Sequence, residues 1–189
     1  PSQDFDAYTD LSYGSYDEVK AEAAVGGGIT DGVSARFSAA FDNHDGYTKN
    51  RTPGVQDFNG ADSAAARLQL LLKPTSDLDI LLSGNYSHNA AAVGAWQHQS
   101  TKPGPDGNTS LPLPANEDFW GTCPGCDAFG YADTDGDPWA GDYDRPGRVK
   151  VTNQGGQVNV NWKIGDMDFT SITAYTAVGR LQQEDTDMN

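Results

Sequence analysis

Apolar and polar residues alternate with a period of two along most of this 189-residue chain, a pattern typical of β-strands with one apolar face. In one clear case, Phe37 and Phe41 fall on one face, while Ser38 and Asp42 fall on the other. Helical periodicity is nearly absent, so the sequence predicts an all-β protein. The alternation predicts seven strands, near residues 4–13, 17–28, 33–43, 61–72, 78–88, 149–164 and 167–181.

The lengths of the strands and of their connections indicate which kind of β-protein this is. The predicted strands run for about 10–12 residues, against ~5–6 in most globular sheets and ~9–11 for a tilted membrane-spanning strand. Tight turns near 30–32, 73–77 and 165–166 alternate with long loops at 44–60 and 89–148. Short turns at one rim and long loops at the other are typical of an outer-membrane barrel. The sequence therefore predicts a segment of an antiparallel up-and-down transmembrane β-barrel.

A soluble β-sandwich would show the same alternation, so the two architectures must be separated by other features. A sandwich gives no reason for loop length to alternate, or for aromatic residues to gather near strand ends. Two aromatic groups of this kind occur, as the girdles of a barrel would: Phe5, Trp162 and Phe169 near the short turns, and Tyr13, Phe41 and Tyr86 near the long loops. Both features favour the barrel.

Charge and hydropathy exclude two other classes of protein. The chain has 12 basic and 27 acidic residues, for a net charge of −15, whereas nucleic-acid binding depends on Lys and Arg that neutralise phosphates. No apolar run approaches the ~18 residues that a membrane-spanning helix needs. Nucleic acid is therefore not an expected partner, and a helical membrane protein is excluded.

Opposed residues of antiparallel strands share a face, so the face assignments predict the register of each hairpin. The predicted pairings are Val25 with Phe37 across an odd loop at 30–32, Leu70 with Ile80 across 73–77, and Trp162 with Phe169 across Gly165-Asp166. Seven strands cannot close a bacterial barrel, whose strand count is even. We therefore expect the chain to be a piece of a larger barrel.

Several segments resemble the barrel of TonB-dependent outer-membrane receptors, in matching order and spacing: 7–18, 33–40 with 45–47, 65–71, and 170–175 with 185–187. The resemblance implies a barrel of about 22 strands with an N-terminal plug, located in the cell outer membrane and surrounded by its lipid. It also implies energy-coupled uptake of iron chelates such as siderophores, or of vitamins or saccharides, driven by contact between the plug and the TonB inner-membrane complex. Neither the plug nor the energy-coupling box is found in this sequence. The barrel segment alone is not expected to transport anything.

Cys123 and Cys126, the two cysteines of the chain, are spaced C-x-x-C around Pro124-Gly125. A redox pair would be expected at a helix start, and a zinc site needs further ligands that are not visible. The Pro-Gly pair favours a tight turn that brings the two sulfurs together. We predict a disulfide that stiffens the long loop.

A calcium site is a further possibility in the same loop. Asp133, Asp135 and Asp137 have the 1-3-5 spacing of a calcium-binding loop, and Asp144 stands at position 12. Pro138 replaces the glycine of the sharp turn, so a solvated acidic loop is the competing interpretation. This motif motivates an alternative function, a secreted calcium-binding β-domain acting in adhesion. A passive porin-type barrel is a second alternative.

No catalytic motif is present, neither G-x-S-x-G, a P-loop nor H-E-x-x-H, so we do not expect an enzyme. No cofactor is expected either, apart from calcium if the acidic loop binds it. The polar face of the sheet does carry a candidate row of charges. A three-residue loop at 14–16 would oppose Asp10 to Lys20, and the next hairpin opposes Lys20 to Asp42. The sequence predicts a lumen-facing row with Lys20 between the two carboxylates, because charge facing lipid costs ~2–4 kcal/mol at mid-bilayer.

Overall fold

This computed structural model describes residues 1–93, 96–133, 135–145 and 147–184. The described part of the chain contains eleven β-strands and no helix. Seven strands are long: β1 (Asp6–Tyr13), β2 (Val19–Thr30), β3 (Val33–His44), β5 (Ala61–Thr75), β6 (Leu78–Ala92), β10 (Arg148–Ile164) and β11 (Met167–Gln183). Four are short: β4 (Lys49–Asn50), β7 (Thr101–Pro103), β8 (Ser110–Pro112) and β9 (Ala140–Gly141). The prediction of an all-β fold is confirmed. The seven predicted strands are the seven long ones, with bounds that differ by a few residues.

The seven long strands form one sheet in the order β1-β2-β3-β5-β6-β10-β11. Neighbours in the sheet are therefore neighbours in sequence, apart from the short strands inserted between them. The pairings β1–β2, β2–β3, β3–β5 and β5–β6 are antiparallel. This is the up-and-down order that alternating hairpins produce.

The chain divides into two compact units. The sheet unit comprises Pro1–Asp45, Gly60–Ala91 and Arg148–Gln182, and the loop unit comprises the described residues of Gly46–Asn59, Ala92–Gly147 and 183–184. The loop unit contains the four short strands, paired as β4 with β9 and β7 with β8. The segments predicted as long loops thus contain regular structure of their own.

Two of the hairpins turn within their predicted segments. Val25 pairs with Phe37, and the β2–β3 hairpin turns at Asp31-Gly32, with Gly32 in the left-handed region at φ 72°. The turn is one residue tighter than the expected three-residue loop, because Thr30 pairs with Val33 beyond a bulge. The β10–β11 hairpin turns at Gly165-Asp166, as predicted.

The β5–β6 register differs from its prediction by two residues. Leu70 pairs with Leu82, not with Ile80, and a bulge between Leu72 and Thr75 tightens the turn. The parity of the loop was right, so each side chain lies on the predicted face. The prediction failed because period-two alternation is unchanged by a shift of two residues.

The predicted charge row is wrong at its first position for the same reason. The β1–β2 loop spans residues 14–18, so Lys20 opposes Ser12, and Asp10 opposes Glu22. Lys20 does oppose Asp42, and the three charged residues share one face. Lys20 Nζ lies 3.8 Å from Asp42 and 2.7 Å from Glu18, so the lysine lies between Glu18 and Asp42.

Candidate functional site

The apolar face of the sheet is the first candidate surface. One row across it runs through Val25, Phe37 and Leu68, which are directly opposed in neighbouring strands. These three side chains remain 46%, 46% and 56% exposed. A monomeric soluble protein rarely leaves a contiguous apolar surface of this kind open.

The opposite face of the sheet is polar and carries its own ion pairs. Arg36 donates to Asp6 at 2.6 Å, and its guanidinium lies 6.0 Å from the centre of the Tyr8 ring. The Tyr8 hydroxyl in turn donates to Glu22. A cleft of about 310 Å³ opens on this face, and residues that line it include Tyr8, Glu22, Ser38, Arg67, Asn85 and Ser87. The cleft offers hydroxyl, amide, carboxylate and guanidinium groups to a hydrated ligand.

The loop unit is organised around Arg51. Its guanidinium lies 3.5 Å from Asp133, 2.9 Å from Asp135 and 3.0 Å from Asp142. Burial lowers the pKa of Arg51, but Asp142 and Asp135 outweigh that effect and hold it above its ordinary value. One cation thus pairs with three carboxylates that come from a distant part of the sequence.

A small core supports this charge cluster. The rings of Phe58 and Tyr143 meet edge to face with centroids 4.7 Å apart, and both residues are buried. The Asn50 side chain donates to the Tyr143 carbonyl at 3.0 Å and accepts from the Tyr143 amide at 3.2 Å. Two segments about 90 residues apart are thereby joined.

Tyr131 extends the same network. Its hydroxyl donates to Asp142 at 3.0 Å. Burial, followed by this hydrogen bond to a carboxylate, raises the pKa of Tyr131 to about 12. The phenol therefore stays protonated as a donor at any physiological pH.

The aspartates proposed for calcium have other partners. Asp133 and Asp135 contact Arg51, while Asp135 and Asp137 each accept a backbone amide two residues ahead, at 2.8 and 2.9 Å. The Asp137 amide, helped by Arg51, holds the pKa of Asp135 below its ordinary value. Within the described ranges, no three His, Cys, Asp or Glu side chains are arranged to hold a metal ion. Asp144 is exposed, and calcium binding stays a prediction.

Cys123 and Cys126 are joined by a disulfide, with Cα atoms 5.2 Å apart. Gly125 between them is left-handed at φ 77°, and its amide donates to the Glu117 carbonyl at 2.8 Å. The Cys126 amide donates to the Cys123 carbonyl at 3.1 Å, closing the turn. The disulfide closes a loop-unit turn, as the Pro-Gly spacing predicts.

His98 is close to a serine and an aspartate without forming a catalytic relay. Its Nε2 lies 3.2 Å from Ser100 Oγ and 3.6 Å from Asp127 Oδ2. In a Ser-His-Asp triad, the serine and the aspartate contact different ring nitrogens. Both partners here face the same nitrogen, so the three side chains do not have the geometry of such a triad.

Sequence reasoning missed Arg51, Asp142, Phe58 and Tyr143. Each of them stands in a region without periodicity, so no local pattern singled it out. The one available signal was composition, because the few arginines of an acidic chain are expected to have carboxylate partners.

Comparison with known proteins adds no relative: no protein-family description, curated protein or solved structure matches this chain. Among the described residues, no helix is long and apolar enough to cross a membrane.

Proposed function

We propose that this chain is a barrel segment of a TonB-dependent outer-membrane receptor, which takes up iron chelates or other scarce nutrients by energy-coupled transport. The observation that carries the proposal is the exposed apolar face of a long-stranded antiparallel sheet. Leu11 and Tyr13 on β1 are 75% and 74% exposed on that face. Outer-membrane lipid is the partner that fits it.

Strand length supports a membrane-spanning sheet. β5 and β6 have 15 residues each, and β10 and β11 have 17. About 9–11 residues of a tilted strand cross the bilayer, so these strands reach beyond the hydrocarbon layer at one or both ends. Strands in a globular sheet seldom need this length.

The lengths of the connections distinguish the two rims of the sheet. Turns at residues 31–32, 76–77 and 165–166 close one rim of the sheet. The long insertions, 45–60 and 93–147, leave from the opposite rim. In outer-membrane barrels the short turns are periplasmic and the long loops are extracellular, so the proposal assigns the two long insertions to the extracellular side.

The polar face then lines the barrel interior. Its ion pairs and cleft lie on the side where water and a hydrophilic solute would pass. The assignment to this class of receptor rests on the sequence resemblance. The resemblance also implies further strands that complete the barrel, and a plug. In that assembly the plug contacts the TonB inner-membrane complex.

The transmembrane part of the proposal is tested with nitroxide labels at two adjacent positions. Phe37→Cys places a label on the apolar face, and Ser38→Cys places one on the polar face. The native cysteines are disulfide-bonded, so a thiol reagent labels the added cysteine. In phospholipid vesicles we expect position 37 to be accessible to oxygen and position 38 to a water-soluble nickel chelate. Asn108→Cys, in the loop unit, is the aqueous control. Nickel access at position 37 equal to that at position 108 would overturn the lipid-facing assignment.

The transport part is tested by uptake of a radiolabelled iron chelate in cells that express the protein from its own gene. A protonophore removes the energy supplied by the inner membrane, so uptake through a TonB-dependent receptor should fall to background. Uptake that persists with the protonophore would indicate a passive porin-type barrel. Calcium-dependent cell attachment without uptake would indicate the adhesion module.

A further inference from the structure

We infer that the loop unit carries a binding site for an organic cation, an alkylated ammonium group, formed by Tyr47, Asp137 and Trp139. The Tyr47 and Trp139 rings lie with centroids 6.0 Å apart and planes inclined at 65°. Trp139 is 58% exposed and Tyr47 is 39% exposed. The two rings form two walls of a corner that is open to solvent.

A carboxylate stands beside this corner. Asp137 Oδ1 accepts a hydrogen bond from the backbone amide of Trp139 at 2.9 Å, which holds the carboxylate against the Trp139 backbone. Asp137 is exposed and has no ion-pair partner among the described residues. Of the neighbouring carboxylates, Asp135 shares Arg51 with Asp133 and Asp142, and Asp57 pairs with Lys49. A carboxylate without an ion-pair partner among the described residues therefore lies beside the Trp139 backbone.

The corner is held by backbone contacts on both sides of Trp139. The Lys49 amide donates to the Trp139 carbonyl at 2.7 Å, and β4 pairs with β9 immediately after it. The Asp137 amide donates to Asp135 Oδ1 at 2.8 Å. Ala140 is buried, which fixes the chain directly below the tryptophan. A site prepared in this way loses little conformational entropy when a ligand binds.

The chemistry of the corner selects a cation over a neutral ligand. Aromatic rings attract a cation placed within about 6 Å of their centres, most strongly for tryptophan. The segments 46–59 and 92–147 contain four basic and ten acidic residues, so their field concentrates cations near the surface. An alkylated ammonium group combines positive charge with apolar methyl groups that pack on ring faces. This site is separate from the lipid-facing surface and does not depend on the proposed transport.

Choline and its uncharged isostere 3,3-dimethylbutan-1-ol are the matched probes, and calorimetric titration of the full chain is the measurement. We expect choline to bind at least about tenfold more tightly than the isostere, a difference of about 1.4 kcal/mol. Its affinity should also fall as salt concentration rises. Equal affinities for the two probes, or affinity that is insensitive to salt, would overturn the inference and indicate a neutral ligand such as a saccharide.

Two variants assign the binding to the corner. We expect Trp139→Leu to weaken choline binding about tenfold and Asp137→Asn to weaken it about threefold, since each removes one attractive component. Phe129→Leu is the control, because Phe129 is 83% exposed in the same unit and belongs to no such corner. Amide exchange at Thr48 and Phe58 reports whether each variant keeps the loop unit folded. If Trp139→Leu unfolds it, Tyr47→Leu replaces that variant with the same expected direction. Unchanged binding in the folded variants would overturn the assignment.

Discussion

In the loop unit, Phe58 and Tyr143 are 0% and 2% exposed, whereas Phe37 and Leu68 of the sheet unit keep about half of their surface open. The loop unit buries large aromatic residues against each other. In the sheet unit, the buried residues are small, Ala24 and Ser34. The part of the chain without sequence periodicity thus has a core of the ordinary kind, while the periodic part presents its apolar residues outward. For a sheet placed in lipid this is the expected arrangement, since the bilayer takes the place of a second layer of protein.

The two units also differ in how charge is compensated. In the sheet unit, each ion pair joins residues on or beside the same or nearby strands, as between Arg36 on β3 and Asp6 on β1. In the loop unit, one residue, Arg51, gathers three carboxylates, of which the Asp133 side chain is only 8% exposed. Exposed cross-strand pairs contribute little each, whereas a partly buried cluster depends on every member. Substitutions should therefore separate the two units clearly.

The largest expected effect is from Phe58→Ala. Removing a buried phenylalanine costs about 3–5 kcal/mol, which is a large share of the stability of a unit with so small a core. We expect amide exchange to accelerate at Thr48 and Phe58, whose amides and carbonyls are mutually hydrogen-bonded. Phe37→Ala is the matched control, because shortening an exposed side chain leaves no cavity.

One result for these two variants would contradict the contrast between the units. If Phe37→Ala accelerated exchange in β2 and β3 as much as Phe58→Ala does in the loop unit, the apolar face would be covered in solution. The contrast between the units would then fail.

We expect Arg51→Met to have an intermediate effect on amide protection in the loop unit. Without the guanidinium, Asp133, Asp135 and Asp142 repel one another, so we expect amide protection near residues 131–143 to fall on the order of tenfold at neutral pH. Arg145→Met is the control, since Arg145 is exposed in the same unit. Equal effects of the two substitutions would show that Arg51 does not organise the unit.

The acid dependence has a defined sign. The folded pKa of Asp135 lies below its unfolded value of about 3.9. The stabilisation is therefore present above that value and is lost as pH falls through the folded pKa. Loop-unit exchange in the wild-type protein should thus accelerate below about pH 4, and Arg51→Met should show a smaller change over the same range.

The sequence allowed the faces of the strands to be predicted better than their registers. Alternation assigns each residue to a face, but shifting a pairing by two residues keeps every assignment, and so the β1–β2 and β5–β6 registers were wrong by that amount. The five-residue β1–β2 loop depends on left-handed backbone at Tyr16 and Asp17, with φ of 61° and 53°. Glycine is the usual sequence signal for that conformation, and neither of these residues is glycine. At Gly32 the signal was present, and the β2–β3 register was predicted correctly.

The organisation of the loop unit could not be predicted for a different reason. Its defining contacts join residues far apart in sequence, as between Asn50 and Tyr143 or Arg51 and Asp142. Period and turn chemistry report on local structure, and they carry no information on which distant carboxylate an arginine meets. The C-x-x-C turn is local, so its disulfide could be predicted from the spacing of the two cysteines.

The smallest expected effect on stability is from substitutions that test the register of β1 and β2. Charges on the polar face are exposed, so substituting Lys20 should leave stability almost unchanged. Cysteine pairs report the register directly. Ser12→Cys with Lys20→Cys joins directly opposed positions, whose Cα atoms are about 4.5–5.5 Å apart in antiparallel sheets, within the range that a disulfide spans. Asp10→Cys with Lys20→Cys lies two residues out of register, at roughly 8 Å, beyond disulfide reach.

Mild oxidation followed by proteolysis and mass spectrometry measures the cross-link in each pair. We expect the 12–20 pair to close and the 10–20 pair to stay reduced. Lys20→Cys with Asp42→Cys is the positive control, because these positions oppose each other in the predicted and the observed register alike. Closure of the 10–20 pair with the 12–20 pair open would restore the three-residue loop at 14–16 and place Lys20 between Asp10 and Asp42. That outcome would change the order of charges on the polar face and leave the apolar face as it is, because both registers keep the same residues outward.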